Sequence, residues 1–270
     1  MSFNGKTIVL TGASSGIGEE AARQLARRGA RLCLVARREE ELARVQADIH
    51  ADGGRAWIYP TDLTHPDSID TALDALLAEH PRVDALVNNA AHSIRRPILD
   101  ALDRIHDYER TMQLNYFGAL RMTMGLIPRF LEQGHGHVVN ASTLSAQVPI
   151  PLFSAYLASK AALESYSRSL NAELGHKGIR ATVVYFPMVR TPMSSRTSIY
   201  KHMRMMKVED AAGWLLKALR DQPARVGSPL GTVGSLVLAA MPGPAVKYTQ
   251  PLFRRMDKRL KAKLKGNREG

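Results

Sequence analysis

Short apolar runs alternate with amphipathic stretches along most of the chain. Strands are expected over residues 7–10, 31–36, 56–60, 83–88, 137–141 and 181–186, where Val, Ile, Leu and Ala follow one another with few polar breaks. Apolar positions recur at helical spacing over 18–28, 39–51, 66–79, 104–133, 154–176 and 208–221. Pro128 falls inside the longest of these and is expected to kink it. Glu209 and Asp210 suit the start of the last, where the helix dipole favours negative charge. Strands that are apolar throughout, each followed by a helix, imply a parallel sheet covered on both faces. The expectation is an α/β fold, a doubly wound parallel sheet in a single domain over 1–246, with 247–270 as a basic helical extension. No internal repeat or low-complexity linker interrupts it.

Composition narrows the class. The chain has 270 residues, 45% hydrophobic and 23% charged, which suits a soluble globular protein with a sizeable core. No window approaches the roughly 20 apolar residues of a spanning helix. The greasiest stretch, 230–246, is interrupted by Gly231, Gly234, Pro242, Gly243 and Pro244. The single cysteine, Cys33, lies in the apolar run Leu32-Cys33-Leu34-Val35 and is expected to pack as a small hydrophobe. With no signal-peptide pattern at Met1–Lys6, a reducing, cytoplasmic setting is the expectation.

Charge is unevenly placed. The formal net charge is +12, and residues 247–270 hold nine Lys/Arg against two Asp/Glu. Phe253, Met256, Leu260 and Leu264 recur there at helical spacing among the cations. A short basic amphipathic helix is expected, one that docks on the domain or meets an anionic membrane or coenzyme A phosphates. A solvated, solubilising end is the plainer reading. Nucleic acid is not an expected partner, since no aromatic stacking set or recognition motif accompanies the basic tail. His92, His106, His135 and His137 have no matching cluster of carboxylates or cysteines, so no metal site is expected.

The chemistry concentrates in a few motifs. Thr11-Gly12-Ala13-Ser14-Ser15-Gly16-Ile17-Gly18 joins the first strand to the first helix. Glycines there let the backbone approach a pyrophosphate, which the N–H groups and dipole of a helix start attract. The cofactor-binding set expected at this turn is Gly12, Ser14, Ser15, Gly16, Ile17 and Gly18. The second strand ends Ala36-Arg37-Arg38 instead of with the acid that holds a ribose 2′-hydroxyl, which favours NADP(H) over NAD(H). Asp62, Leu63, Asn88 and Ala90 follow the third and fourth strands, where ligands bind in such sheets. Farther on, Tyr156 and Lys160 stand one helical turn apart. The ammonium is expected to lower the phenol's pKa and make it a proton donor or acceptor.

These motifs, in this order, resemble the short-chain dehydrogenase/reductase family, over nearly the whole chain from the glycine turn to Thr191. The resemblance implies a Rossmann-type fold and hydride transfer between a nicotinamide and a carbonyl or alcohol carbon. It implies Tyr156 as general acid in reduction. Lys160 would tune it and hold the nicotinamide ribose. Asn115 would kink the long helix and support a water relay, and a hydroxyl would polarise the carbonyl. Family spacing puts that hydroxyl at Thr143, with Ser142 the rival. The cofactor's carboxamide would meet Val189 and Thr191.

Two further positions depart from the family pattern. The usual Asn-Asn-Ala-Gly reads Asn88-Asn89-Ala90-Ala91, and the usual Pro-Gly reads Phe186-Pro187. The resemblance also implies homo-dimers or homo-tetramers packed through the helices at 104–133 and 154–176.

Ser93–Arg96, residues 103–117, Val189–Met193 and 209–212 look more narrowly like bacterial fatty acyl-CoA reductases of this family. A long-chain lipid carbonyl, such as a fatty acyl-CoA or lipid aldehyde or ketone, is the substrate so implied. A substrate segment is expected over 192–207, rich in methionine (Met193, Met203, Met205, Met206), a residue suited to adaptable apolar pockets. A small ketone, aldehyde or steroid-like alcohol is the alternative, and a non-enzymatic nucleotide sensor a remote one.

Overall fold

A computed structural model describes residues 3–147, 150–195 and 205–241, with scattered positions from 243 to 254. In chain order the elements are β1 (Thr7–Thr11), α1 (Gly16–Ala26), β2 (Arg31–Ala36), α2 (Glu39–Ala51), β3 (Arg55–Pro60), α3 (Pro66–Glu79) and β4 (Ala85–Asn88). There follow α4 (Ile105–Met112), α5 (Ala119–Gln133), β5 (Gly136–Thr143), α6 (Ser154–Leu174) and β6 (Ile179–Phe186). The series ends with α7 (Pro192–Ser195), α8 (Val208–Asp221), β7 (Arg225–Val226) and α9 (Pro229–Ala240). The strands form one seven-stranded sheet in the order β3-β2-β1-β4-β5-β6-β7, with every pairing parallel. This is the α/β Rossmann fold.

Alternation along each strand builds two cores. In β1, Ile8 and Leu10 point to one face and Val9 to the other; in β2, Leu32 and Leu34 oppose Cys33 and Val35. The first face is covered by α1, α2 and α8 through residues such as Leu25, Val45 and Leu215. The second is covered by α3, α5 and α6 through Leu73, Leu126 and Leu170. Leu32 and Leu34 are fully buried, each worth about 1.5–3 kcal/mol of hydrophobic stabilisation. Cys33 lies on the opposite face of the same strand, and burial pushes its thiol up to about 12.

Several expected boundaries move. The helix expected over 104–133 is interrupted by a π-helical turn at Gln113–Gly118, which holds Asn115. α5 runs through Pro128 unbroken to Gln133, so the interruption lies upstream of the proline. A 3.6-residue period does not reveal a single wide turn. β1 and β5 extend to Thr11 and Thr143, because backbone pairing continues through polar residues that an apolar run leaves out. β7 is an addition, too short to show a period. So is α9, a helix in a stretch whose glycines argue against one. No helix among the described residues is long and apolar enough to cross a membrane. The amphipathic pattern through Met256, Leu260 and Leu264, and most of the expected substrate segment including Met203, lie outside the described residues.

Candidate active site

The carboxyl ends of six neighbouring strands bring the expected residues to one edge of the sheet. The glycine turn follows β1, Arg37 and Arg38 follow β2, and Asp62 and Leu63 follow β3. Asn88 ends β4, Ser142 and Thr143 end β5, and Val189 and Thr191 follow β6. The winding direction reverses between β1 and β4, the switch point where such sheets bind ligands.

The glycine turn is held closed by polar contacts from the β4 end. Thr11 Oγ1 donates to Val87 O at 3.2 Å and accepts from the amides of Asn89 at 3.0 Å and Ala90 at 3.1 Å. Gly12 has φ +67°, and a Cβ there would lie 2.9 Å from Ala90 Cα. A Cβ on Gly18 would collide with the Gly12 carbonyl. Gly16, at φ +59°, stands against Thr191, whose Cγ2 would be 3.5 Å from an added Cβ. The two ends of the expected cofactor set therefore meet. Ser15 occupies the N-cap of α1 and makes no side-chain capping bond. Its neighbours Ser14 and Ile17 are buried and half-buried, and Ile17 packs on the first core. Side chains at Gly12 and Gly18 are excluded by the backbones of Ala90 and Gly12, which keeps the turn tight against the start of α1, the kind of helix N-terminus that can receive a pyrophosphate.

At the β2 end, Arg38 Nη2 donates to Ser14 Oγ at 3.4 Å, and exposed Arg37 lies 3.8 Å from Asp62 Oδ2. Burial works against the Asp62 carboxylate. Hydrogen bonds from the Thr64 hydroxyl and amide outweigh it and hold the group below its usual range. Leu63 is buried beneath the chain, its carbonyl against Gly118. Asn88 turns inward: its amide donates to Asn140 Oδ1 at 2.9 Å and Thr123 Oγ1 at 3.1 Å. The substituted Ala91 adopts no left-handed backbone conformation, so its methyl is tolerated.

The catalytic candidates cluster where α6 packs on β5 and β6 and meets the π-helical turn. Lys160 is 1% exposed, and its Nζ donates to Ala141 O at 2.7 Å. Burial lowers its ammonium to about 8 and raises the Tyr156 phenol to about 12. The phenol thus moves opposite to the direction expected from helical spacing. The Lys160 ammonium is directed to the strand carbonyl, and loss of water around the phenol dominates.

Asn115 sits in the π-helical turn. Its Oδ1 accepts from His92 N at 2.7 Å, and its Nδ2 donates to His92 O at 2.8 Å and Ser159 Oγ at 2.9 Å. The two candidate hydroxyls differ: Ser142 Oγ is buried without a partner, whereas half-buried Thr143 Oγ1 accepts from Ser145 N at 3.2 Å. Val189 is buried, forms a bridge with Met206, and its carbonyl accepts from Ser194 Oγ at 2.8 Å.

Three contributors escape the sequence pattern. Ser159 donates to Tyr156 O at 2.7 Å and links that turn of α6 to Asn115. It lies between Tyr156 and Lys160, so its position in that short segment is the signal that could have found it. Leu152, four residues before Tyr156, is held at φ 77°, and its carbonyl accepts from Arg96 N at 2.7 Å. Such a backbone costs of order 1–3 kcal/mol for a non-glycine residue and is found where surroundings over-determine it. Asp107 is the third, bound by Arg96 Nε at 2.9 Å and Arg104 Nε at 3.1 Å. No sequence pattern announces either of these. Among the described residues no group of three or more metal-ligating side chains occurs.

Known proteins resemble the chain in sequence and fold. The short chain dehydrogenase family model matches residues 6–201. A fatty acyl-CoA reductase of Acinetobacter baylyi is 44% identical over 238 residues, covering 88% of this chain and 81% of the relative. One of Mycobacterium tuberculosis is 39% identical over 259 residues, covering 96% and 87%. A 3-ketoacyl-(acyl-carrier-protein) reductase from Brucella melitensis, solved with NADH, is similar at TM-score 0.75 and 28% identity, covering 83% of this chain and 97% of that one. The motifs at the sheet edge, the fold and these relatives agree: the chain belongs to the short-chain dehydrogenase/reductase family and is an oxidoreductase.

Proposed function

We propose that the chain is an NADPH-dependent reductase of long-chain lipid carbonyls, with fatty acyl-CoA as the leading substrate class. The observation that carries this reading is the match to two fatty acyl-CoA reductases over 81% and 87% of their own lengths. The arginine pair supports the choice of NADPH. Arg37 is largely exposed with only a long contact to Asp62, and Arg38 makes only a long bond to Ser14, which supports a 2′-phosphate as the partner of the pair.

A bound nicotinamide supplies the hydride. The chain's own residues hold and protonate. The Gly12–Gly18 turn and the start of α1, with Ser14, Ser15 and Ile17, receive the pyrophosphate. Asp62, Leu63 and the backbone at Asn88 and Ala90 line the same edge, and Val189 and Thr191 meet the carboxamide. Lys160 offers its ammonium to the ribose hydroxyls. Tyr156 donates its proton to the carbonyl oxygen. A phenol raised to about 12 stays protonated at neutral pH, the form a reduction needs. The Thr143 hydroxyl donates a second hydrogen bond, its lone pair being engaged by Ser145. Ser142 Oγ is too enclosed to reach a substrate. Asn115 anchors the site through His92 and Ser159. With a thioester the reduced adduct then collapses: its carbonyl re-forms, the carbon–sulfur bond breaks and the hydroxyl proton passes to the departing sulfur, leaving aldehyde and free thiol. Cys33, buried inside β2 with its thiol at about 12, forms no acyl-enzyme.

NADPH consumption tests this with acyl-CoAs of roughly 12 to 18 carbons, the matching aldehydes, and small or cyclic ketones. Turnover of the lipid set is expected. Activity confined to the small ketones would replace the lipid reading by its alternative. Assembly as a homo-dimer or homo-tetramer through α4, α5 and α6 belongs to the same proposal. Phe117, Met124 and Leu131, spaced by seven, are exposed along one line of the α5 region.

A further inference from the structure

α9 presents an apolar face that the described chain leaves uncovered. The inner side of the helix is fixed. Ser228 caps it, accepting from the Gly231 amide at 3.1 Å. Arg225 Nη2 donates to Ser235 Oγ at 3.0 Å and to Gln147 Oε1 at 2.7 Å. Gly231 stands against Leu144, whose Cδ1 would be 2.9 Å from an added Cβ. Leu144 directly follows Thr143, so α9 is seated beside the strand end that carries the candidate hydroxyls. The outer side is the reverse: Leu230 is 85% exposed, Leu236 62% and Val233 60%, with Val237 and Met241 about half exposed. Their helical spacing places these five side chains on one arc. A contiguous apolar arc of this kind marks an interaction surface.

Charge indicates what covers it. Residues 222–256 contain no Asp or Glu, while Arg225, Lys247, Arg254 and Arg255 fall within them. Lys247 and Arg254 are exposed. The nine cations against two acids in 247–270 continue the trend. An apolar arc followed by cations is the pattern of a helix lying among anionic lipid headgroups. A second copy of this chain across a two-fold contact would bring like charges together. At 12 residues the helix is about 18 Å long and cannot span a bilayer.

We infer that α9, with the exposed cations Lys247 and Arg254 that follow it, docks on the surface of an anionic phospholipid bilayer. The inference rests on exposure and charge alone, and binding is read without turnover, so its failure is distinct from failure of the proposed activity. The experiment is co-sedimentation of the full chain with vesicles of phosphatidylglycerol and phosphatidylcholine, beside vesicles of phosphatidylcholine alone. The chain is expected to sediment with the anionic vesicles. Raising NaCl from about 0.05 M to about 0.5 M should release it. The exposed double variant Leu230→Asp/Val237→Asp should partition at least about tenfold more weakly, with unchanged Tm and NADPH binding. A wild-type chain that stays in the supernatant overturns the inference, as does a variant that sediments equally. So does analytical ultracentrifugation without vesicles in which the variant breaks an oligomer, since the face would then join copies of the chain.

Discussion

The Asn115 amide reaches Ser159 Oγ at 2.9 Å, and the Ser159 hydroxyl passes on to the Tyr156 carbonyl at 2.7 Å. A π-helical turn and the start of α6 are thereby joined through one buried hydroxyl. Ser159→Ala leaves an amide donor of Asn115 unpaired, which should lower stability by about 1–3 kcal/mol. Urea unfolding measures it, and an unchanged midpoint would show that the link carries no weight.

Tyr156→Phe removes the phenolic proton and little else. Turnover should fall by at least about 100-fold, the usual contribution of a positioned general acid. Titration of NADPH by fluorescence should give nearly the wild-type affinity. Equal activity of the variant would refute the proton-donor role.

The neighbouring hydroxyls are separable. Thr143→Val should lower kcat by about 100-fold, as loss of one donor to a developing oxyanion does. Ser142→Ala removes a buried hydroxyl without a partner and should leave kcat within about threefold of wild type. The opposite ranking would exchange the two roles.

Lys160 gives stability a pH dependence of known sign. Burial lowers its folded value to about 8 from an ordinary value of 10.5. Between these values the unfolded chain binds the extra proton, so stability rises with pH across that window. Tyr156, raised from 10.0 to about 12, acts in the opposite sense above pH 10. Urea unfolding from about pH 8 to 10 should show a rise that Lys160→Met lacks. Identical slopes in both chains would be inconsistent with the buried ammonium.

The arginine pair is tested by ratio. Arg37→Ala/Arg38→Ala should reduce kcat/KM with NADPH at least about tenfold while changing that with NADH little, since only the 2′-phosphate is lost as a partner. An unchanged NADPH/NADH ratio would remove these residues from cofactor choice.

Much of the architecture is written in local patterns. Runs such as Leu32–Ala36 are buried on both faces and so read as parallel strands, and the glycines report a tight turn because backbone packing forbids side chains at Gly12 and Gly18 while Gly16 takes a positive φ. Features set by tertiary closure leave no such mark. The strained Leu152 is held by Arg96, 56 residues upstream. The inward turn of Asn88 depends on Asn140 and Thr123 in other elements. The rise in the Tyr156 pKa comes from burial, which helical spacing to Lys160 cannot disclose. α9 escapes because a helix is sustained there despite Gly231 and Gly234, fixed by Ser235 and Leu144.

The Thr11–Asn89 clasp has a consequence for assembly of the fold. It joins residues 78 apart in sequence, and Gly12 lies directly against Ala90. β1 and α1 alone would therefore present glycines but no finished cradle, and a chain whose β4 has yet to enter the sheet would grip nucleotide poorly. Ligand that selects the completed centre draws the equilibrium toward it. Nucleotide added during refolding should thus act late, trapping molecules after the central strands have joined rather than guiding the first steps.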